Sequence, residues 1–269
     1  MGLAQNGSLK GYDMSRFKKW SFRIVVTGSF ILGLLIMIAL CPVLLYADNT
    51  ASANDIVYHQ HQLDPTFITR LNDANALLKA SEIYDSKLSL SICLNDGSLY
   101  PILMRRIRGD AFGWGFAYNV VLMGNMNATD NTVELNGYKW NLTELLAHEA
   151  THCYQFNKFG LLHSNPLACI PTWKWEGYPE YVSRKHKASL VQNITHLLQT
   201  EQADNNGWIS FDDSTGTVIA YYQYWLLMQY CLDIQKMTYA QLLKDTTSAN
   251  TFQNKMMVWY ETANSTFAK

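Results

Sequence analysis

The chain has 269 residues, 48% of them apolar and 16% charged, with a net charge of −1. That balance excludes a disordered polypeptide, which lacks the apolar residues for a core, and a general nucleic-acid binder, which carries a basic surplus. The length suits one sizeable domain with a small appendage.

The charge is unevenly spread. The first 47 residues hold five basic side chains (Lys10, Arg16, Lys18, Lys19, Arg23) against one acid, Asp13, and leave a mildly acidic remainder. Residues 1–23 read as a basic tail, and Ile24–Tyr46 follows as 23 residues without a charge. At 1.5 Å per residue such a helix is about 35 Å long, enough for a bilayer core of about 30 Å. The basic flank predicts a cytoplasmic N-terminus and an extracytoplasmic remainder. Ala51-Ser52-Ala53 has the look of a signal cleavage site, so a secreted form is the second reading; the length of the apolar run favours an uncleaved anchor. Leu40 is bulkier than a lipidation site at Cys41 would prefer.

Residues 47–65 are polar and read as a linker, leaving residues 66–269 as the extracytoplasmic domain. Thr66–Tyr84 spaces its apolar residues as a helix does, and Lys87–Leu94 alternates as a strand before the turn signal Asn95-Asp96-Gly97. Ala111–Gly124 is aromatic and β-branched and reads as one or two strands; Thr132–Asn141 reads as a hairpin turning at Asn136-Gly137. From Asn141 onward helices take over, the first capped by Asn141 or Thr143 and stopped by Gly160. Later helices are expected in Trp173–Val191, Thr217–Gln235 and Thr238–Thr246. The fold class is therefore α+β, a small sheet followed by helices. Cys93, Cys153, Cys169 and Cys231 allow either two disulfides or four buried thiols in such a compartment.

The chemistry sits in His148-Glu149-Ala150-Thr151-His152. On a helix, residues four apart face one point, so His148 and His152 present two imidazoles to a metal, with Glu149 beside it as a general base. A catalytic zinc site needs a third protein ligand and an open position. A histidine six residues beyond His152 is ruled out, because Gln155 and Lys158 stand where Gly and His would be required. His163 lies just past the helix with nothing to orient it. The better candidates lie in "PTWKWEGYPEYVS", where Glu176 and Glu180 are four apart and share a face. If the first of them binds the metal, the second stands one turn on, where it could accept the N–H of a ligand histidine. Pro179 fits a helix that begins just before it. His59, His61, His186 and His196 lack partner spacing and are expected at the surface.

"LLAHEATHCYQ" followed by "WKWEGYPEYVS" resembles the gluzincin zinc metallopeptidases of the peptidase MA-like group, whose H-E-x-x-H precedes a W-x-x-E-G-x-x-x-Y segment. Trp173, Glu176, Gly177 and Tyr181 match that segment, while Pro179 departs from the small residue more usual there. The resemblance implies a zincin-like domain and one zinc ion on His148, His152 and Glu176. It also implies a Tyr-rich helix behind the site, so Tyr221, Tyr222 and Tyr224 are candidate oxyanion donors, and an edge strand beside the cleft, for which "GWGFAYNVV" is the candidate. The function expected is a membrane-anchored peptidase acting on a peptide or protein substrate, with no nucleic-acid partner. A catalytically silent zincin-like binding or structural module is the alternative, and a metal-free tethered helical protein the third.

Overall fold

Helix α1 (Met14–Leu40) carries the apolar run, with Phe22–Leu40 long and apolar enough to cross a membrane. It ends earlier than the run itself. Proline disfavours helical geometry in the residue before it, and Pro42 follows directly with a short 3-10 turn, Pro42–Leu45. The computed structural model describes residues 14–202 and 207–267, so most of the expected basic tail lies outside the described residues. The chain divides into two units, Met1–Leu44 and Leu45–Lys269.

The second unit begins with strands. In place of the expected linker, the chain forms β1 (Asp48–Ser52) and β2 (Asp55–His59), an antiparallel hairpin. Its side chains alternate between buried and half-buried along β2, and buried Asp55 ties the hairpin inward by accepting from Leu90 N–H at 3.0 Å and Asn75 at 3.1 Å. His59, expected at the surface, is buried, bonded to Thr50 Oγ1 at 2.9 Å and His61 O at 2.8 Å. Polarity misleads here because each polar group has a partner.

Helix α2 (Pro65–Lys79), capped by Asp64, leads to β3 (Ser91–Cys93), shorter than the alternating stretch suggests. Helix α3 (Leu99–Arg108), capped by Ser98, is an element the sequence pattern does not predict. Strands β4 (Gly113–Phe116) and β5 (Asn119–Leu122) complete a five-stranded sheet of order β1-β2-β3-β5-β4. The β2-β3 and β3-β5 pairs are parallel, while β4 is an antiparallel edge strand. Every residue of β5 is buried, as expected of a strand covered on both faces. Strands β6 (Asn125–Asn127), β7 (Thr132–Leu135) and β8 (Tyr138–Asn141) form a second sheet. Asn136 and Gly137 both have positive φ, as a tight hairpin turn demands.

Helix α4 (Leu142–Phe159) follows, with Asn141 Oδ1 accepting from Glu144 N–H at 3.2 Å and Gly160 closing it at φ 76°. Helices α5 (Thr172–Trp175), α6 (Gly177–Arg184) and α7 (Leu190–Gln202) come next. A small hairpin outside the sequence expectations, β9 (Trp208–Ser210) with β10 (Gly216–Val218), precedes α8 (Ile219–Gln229) and a π-turn at Tyr230–Ile234. Helices α9 (Tyr239–Lys244) and α10 (Ala249–Phe267) end the described chain, the second of them likewise unpredicted.

Helix α4 packs against β4, β5, α2 and α6, and α6 packs in turn against α8. Its sequence suggests two faces, with Leu142, Leu145 and Leu146 as the anchor. Instead nearly every side chain from Leu142 to Gln155 is buried. The cysteines form no disulfide: Cys93, Cys153 and Cys231 are buried free thiols, and Cys41 and Cys169 are exposed ones.

Candidate metal centre

Helix α4 delivers His148, Glu149 and His152 from one side, and the kink between α5 and α6 delivers Glu176 from the other. Glu176 is the C-cap of α5 and the N-cap of α6, with Pro179 two residues inside the new helix, where its missing N–H costs no helical bond. Gly177 lets α6 pass close under α8: a Cβ there would meet Tyr224 O at 2.8 Å.

The three side chains converge. Glu176 Oε2 lies 3.2 Å from His152 Nε2 and 3.5 Å from His148 Nε2. One ligand atom from each of the three lies within 4.8 Å of the others, so the group can hold a metal ion. Ligands placed about 2.0–2.1 Å from a tetrahedral ion stand roughly 3.3 Å from one another, which the two separations match. The opposite ring nitrogens are occupied. His152 Nδ1 bonds Gln155 Oε1 at 2.8 Å, and His148 Nδ1 lies 3.2 Å from Glu180 Oε1, in ion-pair contact but not aligned for a straight hydrogen bond. Both histidines therefore turn Nε2 toward the same point, the arrangement a carboxylate or amide behind a ligand histidine produces.

Electrostatics agree with the geometry. Burial alone would lower the His148 imidazole, but Glu176 and Glu180 outweigh it and raise it to about 10. Burial would raise the Glu176 carboxyl, yet His152 and His148 hold it well below the usual range. Two imidazoles facing a carboxylate make a pocket that could take a cation.

Residues not singled out in the sequence support this shell. Gln155, fully buried, donates to Trp175 O at 3.0 Å and Tyr239 Oη at 2.7 Å, which fixes its oxygen toward His152. Glu180 accepts from Arg184 Nε at 2.6 Å, and Arg184 Nη1 pairs with Glu144, which also meets Lys187 Nζ at 2.8 Å. Arg184 is wholly buried, its guanidinium 5.1 Å from the Trp140 ring centre and 4.9 Å from that of Phe211. The i,i+4 spacings Glu144–His148 and Glu180–Arg184 are the available sequence signal; that the two pairs meet is not part of it.

Glu149 stands beside the convergence point but outside it. Its Oε2 accepts from Gly115 N–H of the edge strand at 2.7 Å. Glycine is required there: a Cβ on Gly115 would fall 1.9 Å from Glu149 O, and one on Gly113 2.9 Å from Glu149 Cγ. The edge strand β4 thus runs directly against α4, but only the first part of "GWGFAYNVV" forms it; the segment turns at Ala117-Tyr118 and its end belongs to the buried β5. Of the three tyrosines, only Tyr221 reaches the site, stacked on His148 at 6.1 Å. Burial, and then Glu176, Glu149 and Glu180, push its phenol up, so it stays protonated. Tyr222 turns away to donate to Asn193 O at 3.2 Å, and Tyr224 contributes its backbone to the α6 crossing. His163 and His186 lie outside the group.

All of this opens into a cavity of about 1020 Å³ whose walls include His148, Glu149, His152, Glu176 and Tyr221. Trp175 stacks on His152 at 5.8 Å and Trp140 meets His148 edge-on at 6.0 Å. Known protein families, curated proteins and solved structures give no match to this chain.

Proposed function

We propose that the chain is a zinc-dependent peptidase of the gluzincin type, anchored by α1 with its second unit on the extracytoplasmic side. What carries the reading is the meeting of His148 Nε2, His152 Nε2 and Glu176 Oε2 in a cavity that Glu149 also lines. Two imidazoles and one carboxylate suit zinc, whereas magnesium and calcium prefer oxygen ligands throughout. Structural zinc sites close their shell with four protein ligands; this group of three faces a cavity, which favours catalysis.

Zinc bound there supplies Lewis acidity, polarising a peptide carbonyl and bringing a water close to ionisation at neutral pH. Glu149, held by Gly115 N–H through one oxygen, keeps the other to take the water's proton and pass it to the departing amine. Tyr221, protonated and facing the cavity, donates to the oxyanion. Strand β4 ends the sheet, with no strand beyond it among the described residues, and apart from the Gly115 N–H that holds Glu149 its edge can align an extended peptide by strand addition.

The test combines metal analysis of the full chain in detergent with turnover of a broad peptide library. The expected result is one zinc per chain and cleavage that Glu149→Gln abolishes while zinc stays bound. Zinc retained with no cleavage by the wild type would leave the silent module standing; absence of metal would end both readings.

A further inference from the structure

Helix α3 has an outer face that nothing among the described residues covers. Tyr100, Pro101 and Met104 are buried, whereas Leu99, Ile102 and Ile107 are 65%, 51% and 56% exposed. At 3.6 residues per turn those three fall on one side of the helix, with Leu103 and Arg106 between them. The helix carries no acidic residue, and its last turn holds Arg105, Arg106 and Arg108. Arg105 is engaged with Met123 O and lies 3.8 Å from Asp110, while Arg106 and Arg108 are exposed.

The position of this face in the chain says what it meets. Leu45, first residue of the second unit, follows the last residue of α1 by five positions, a span of at most about 17 Å even fully extended. Leu45 O accepts from Ser98 Oγ at 2.8 Å, and Ser98 is the N-cap of α3. Tyr46 Oη donates to Leu94 O at 2.8 Å, and its ring lies 6.0 Å from that of Tyr100 on α3. The start of α3 is thereby pinned to the point where the chain enters the domain. Aliphatic residues with arginines among them are the composition of a helix that lies in the headgroup layer, apolar side chains dipped and guanidinium groups at the phosphates.

We infer that α3 is a membrane-surface helix: Leu99, Ile102 and Ile107 enter the bilayer interface, and Arg106 and Arg108 engage anionic phosphate headgroups. Arg108 also lines the rim of the cavity, and β4 begins five residues later, so the contact holds the mouth of the cavity at the level of the headgroups. The inference rests on α1 lying in the bilayer and is independent of the metal chemistry.

The experiment uses the full chain, with Cys41→Ser and Cys169→Ser removing the exposed thiols, reconstituted into phosphatidylcholine vesicles containing phosphatidylglycerol. A polarity-sensitive thiol probe is placed by Ile102→Cys, by Phe30→Cys in α1, or by Val258→Cys on α10, and quenched by nitroxide-labelled lipids. The expected result is a blue shift and strong quenching at Phe30 and Ile102, with neither at Val258, which is 65% exposed on a helix packed against α7 and α8. Quenching at Phe30 without quenching at Ile102 overturns the surface contact alone. A blue-shifted Ile102 probe that no lipid quenches means protein covers the face, and also overturns it. An unquenched Phe30 probe overturns the contact together with the anchor.

Discussion

Arg184→Met removes the one cationic side chain that, among the described residues, pairs with Glu180, apart from His148, and one of two that bind Glu144. Methionine roughly keeps the aliphatic stem, so contact with Trp140 and Phe211 is largely retained while the charge is lost. Glu144 keeps Lys187 Nζ at 2.8 Å, but Glu180, with a side chain 0% exposed, is left with only His148. Breaking a buried pair from one side costs about 3–5 kcal/mol, because the remaining charge has no water and here keeps only the imidazole beside it. At roughly 2–4 °C per kcal/mol for a domain of this size, the unfolding midpoint should fall by about 6–20 °C. The assay is the apparent midpoint of the full chain in detergent, followed by circular dichroism. Adding Glu180→Gln to Arg184→Met should recover part of the loss, since a neutral amide is cheaper to bury than an unpaired carboxylate. A midpoint lowered by less than about 3 °C, below the smallest shift these magnitudes allow, would refute the reasoning. So would full additivity of the two substitutions, since residues sharing a network are expected to couple.

Glu176→Gln should lower bound metal well below one equivalent in elemental analysis, because the anionic ligand is lost while the two imidazoles remain. Gln155→Leu removes the acceptor at His152 Nδ1 and should weaken metal affinity by about 10- to 100-fold in competition against a chelator; unchanged affinity would deny it that role. Gly115→Ala places a methyl within 1.9 Å of Glu149 O, so strand and helix must part. Overpacking of this kind costs about 1–3 kcal/mol, and a lower melting midpoint with reduced turnover is expected. Asn141→Ala deletes the cap of α4 at a cost of about 1 kcal/mol, measurable as a small drop in the same midpoint.

Local features are legible in the amino-acid sequence alone. The apolar run of α1, the Asn136-Gly137 turn, the Asn141 cap and the Gly160 stop each follow from side-chain chemistry acting over a few residues. So does the shared face of His148 and His152. The misreadings have a common cause. Residues 47–65 look like a linker because their polar groups find partners, such as Leu90 and Asp96, more than 30 positions away. The exposed aliphatics of α3 blur the helical pattern that would reveal it.

The order of amino acids sets the chemical groups and their spacing along each helix: two imidazoles and a carboxylate on α4, two carboxylates on the α5–α6 segment. That Glu176, 24 residues beyond His152, closes on both histidines emerges only when the helices pack together. The same packing puts Tyr221, and not Tyr222 or Tyr224, on the wall of the cavity, and joins Glu144 to Arg184 across 40 residues. The physical reason is one of range. Helical periodicity orients side chains within one element, but which elements meet depends on packing α4 against a sheet and α6, a contact no local pattern encodes.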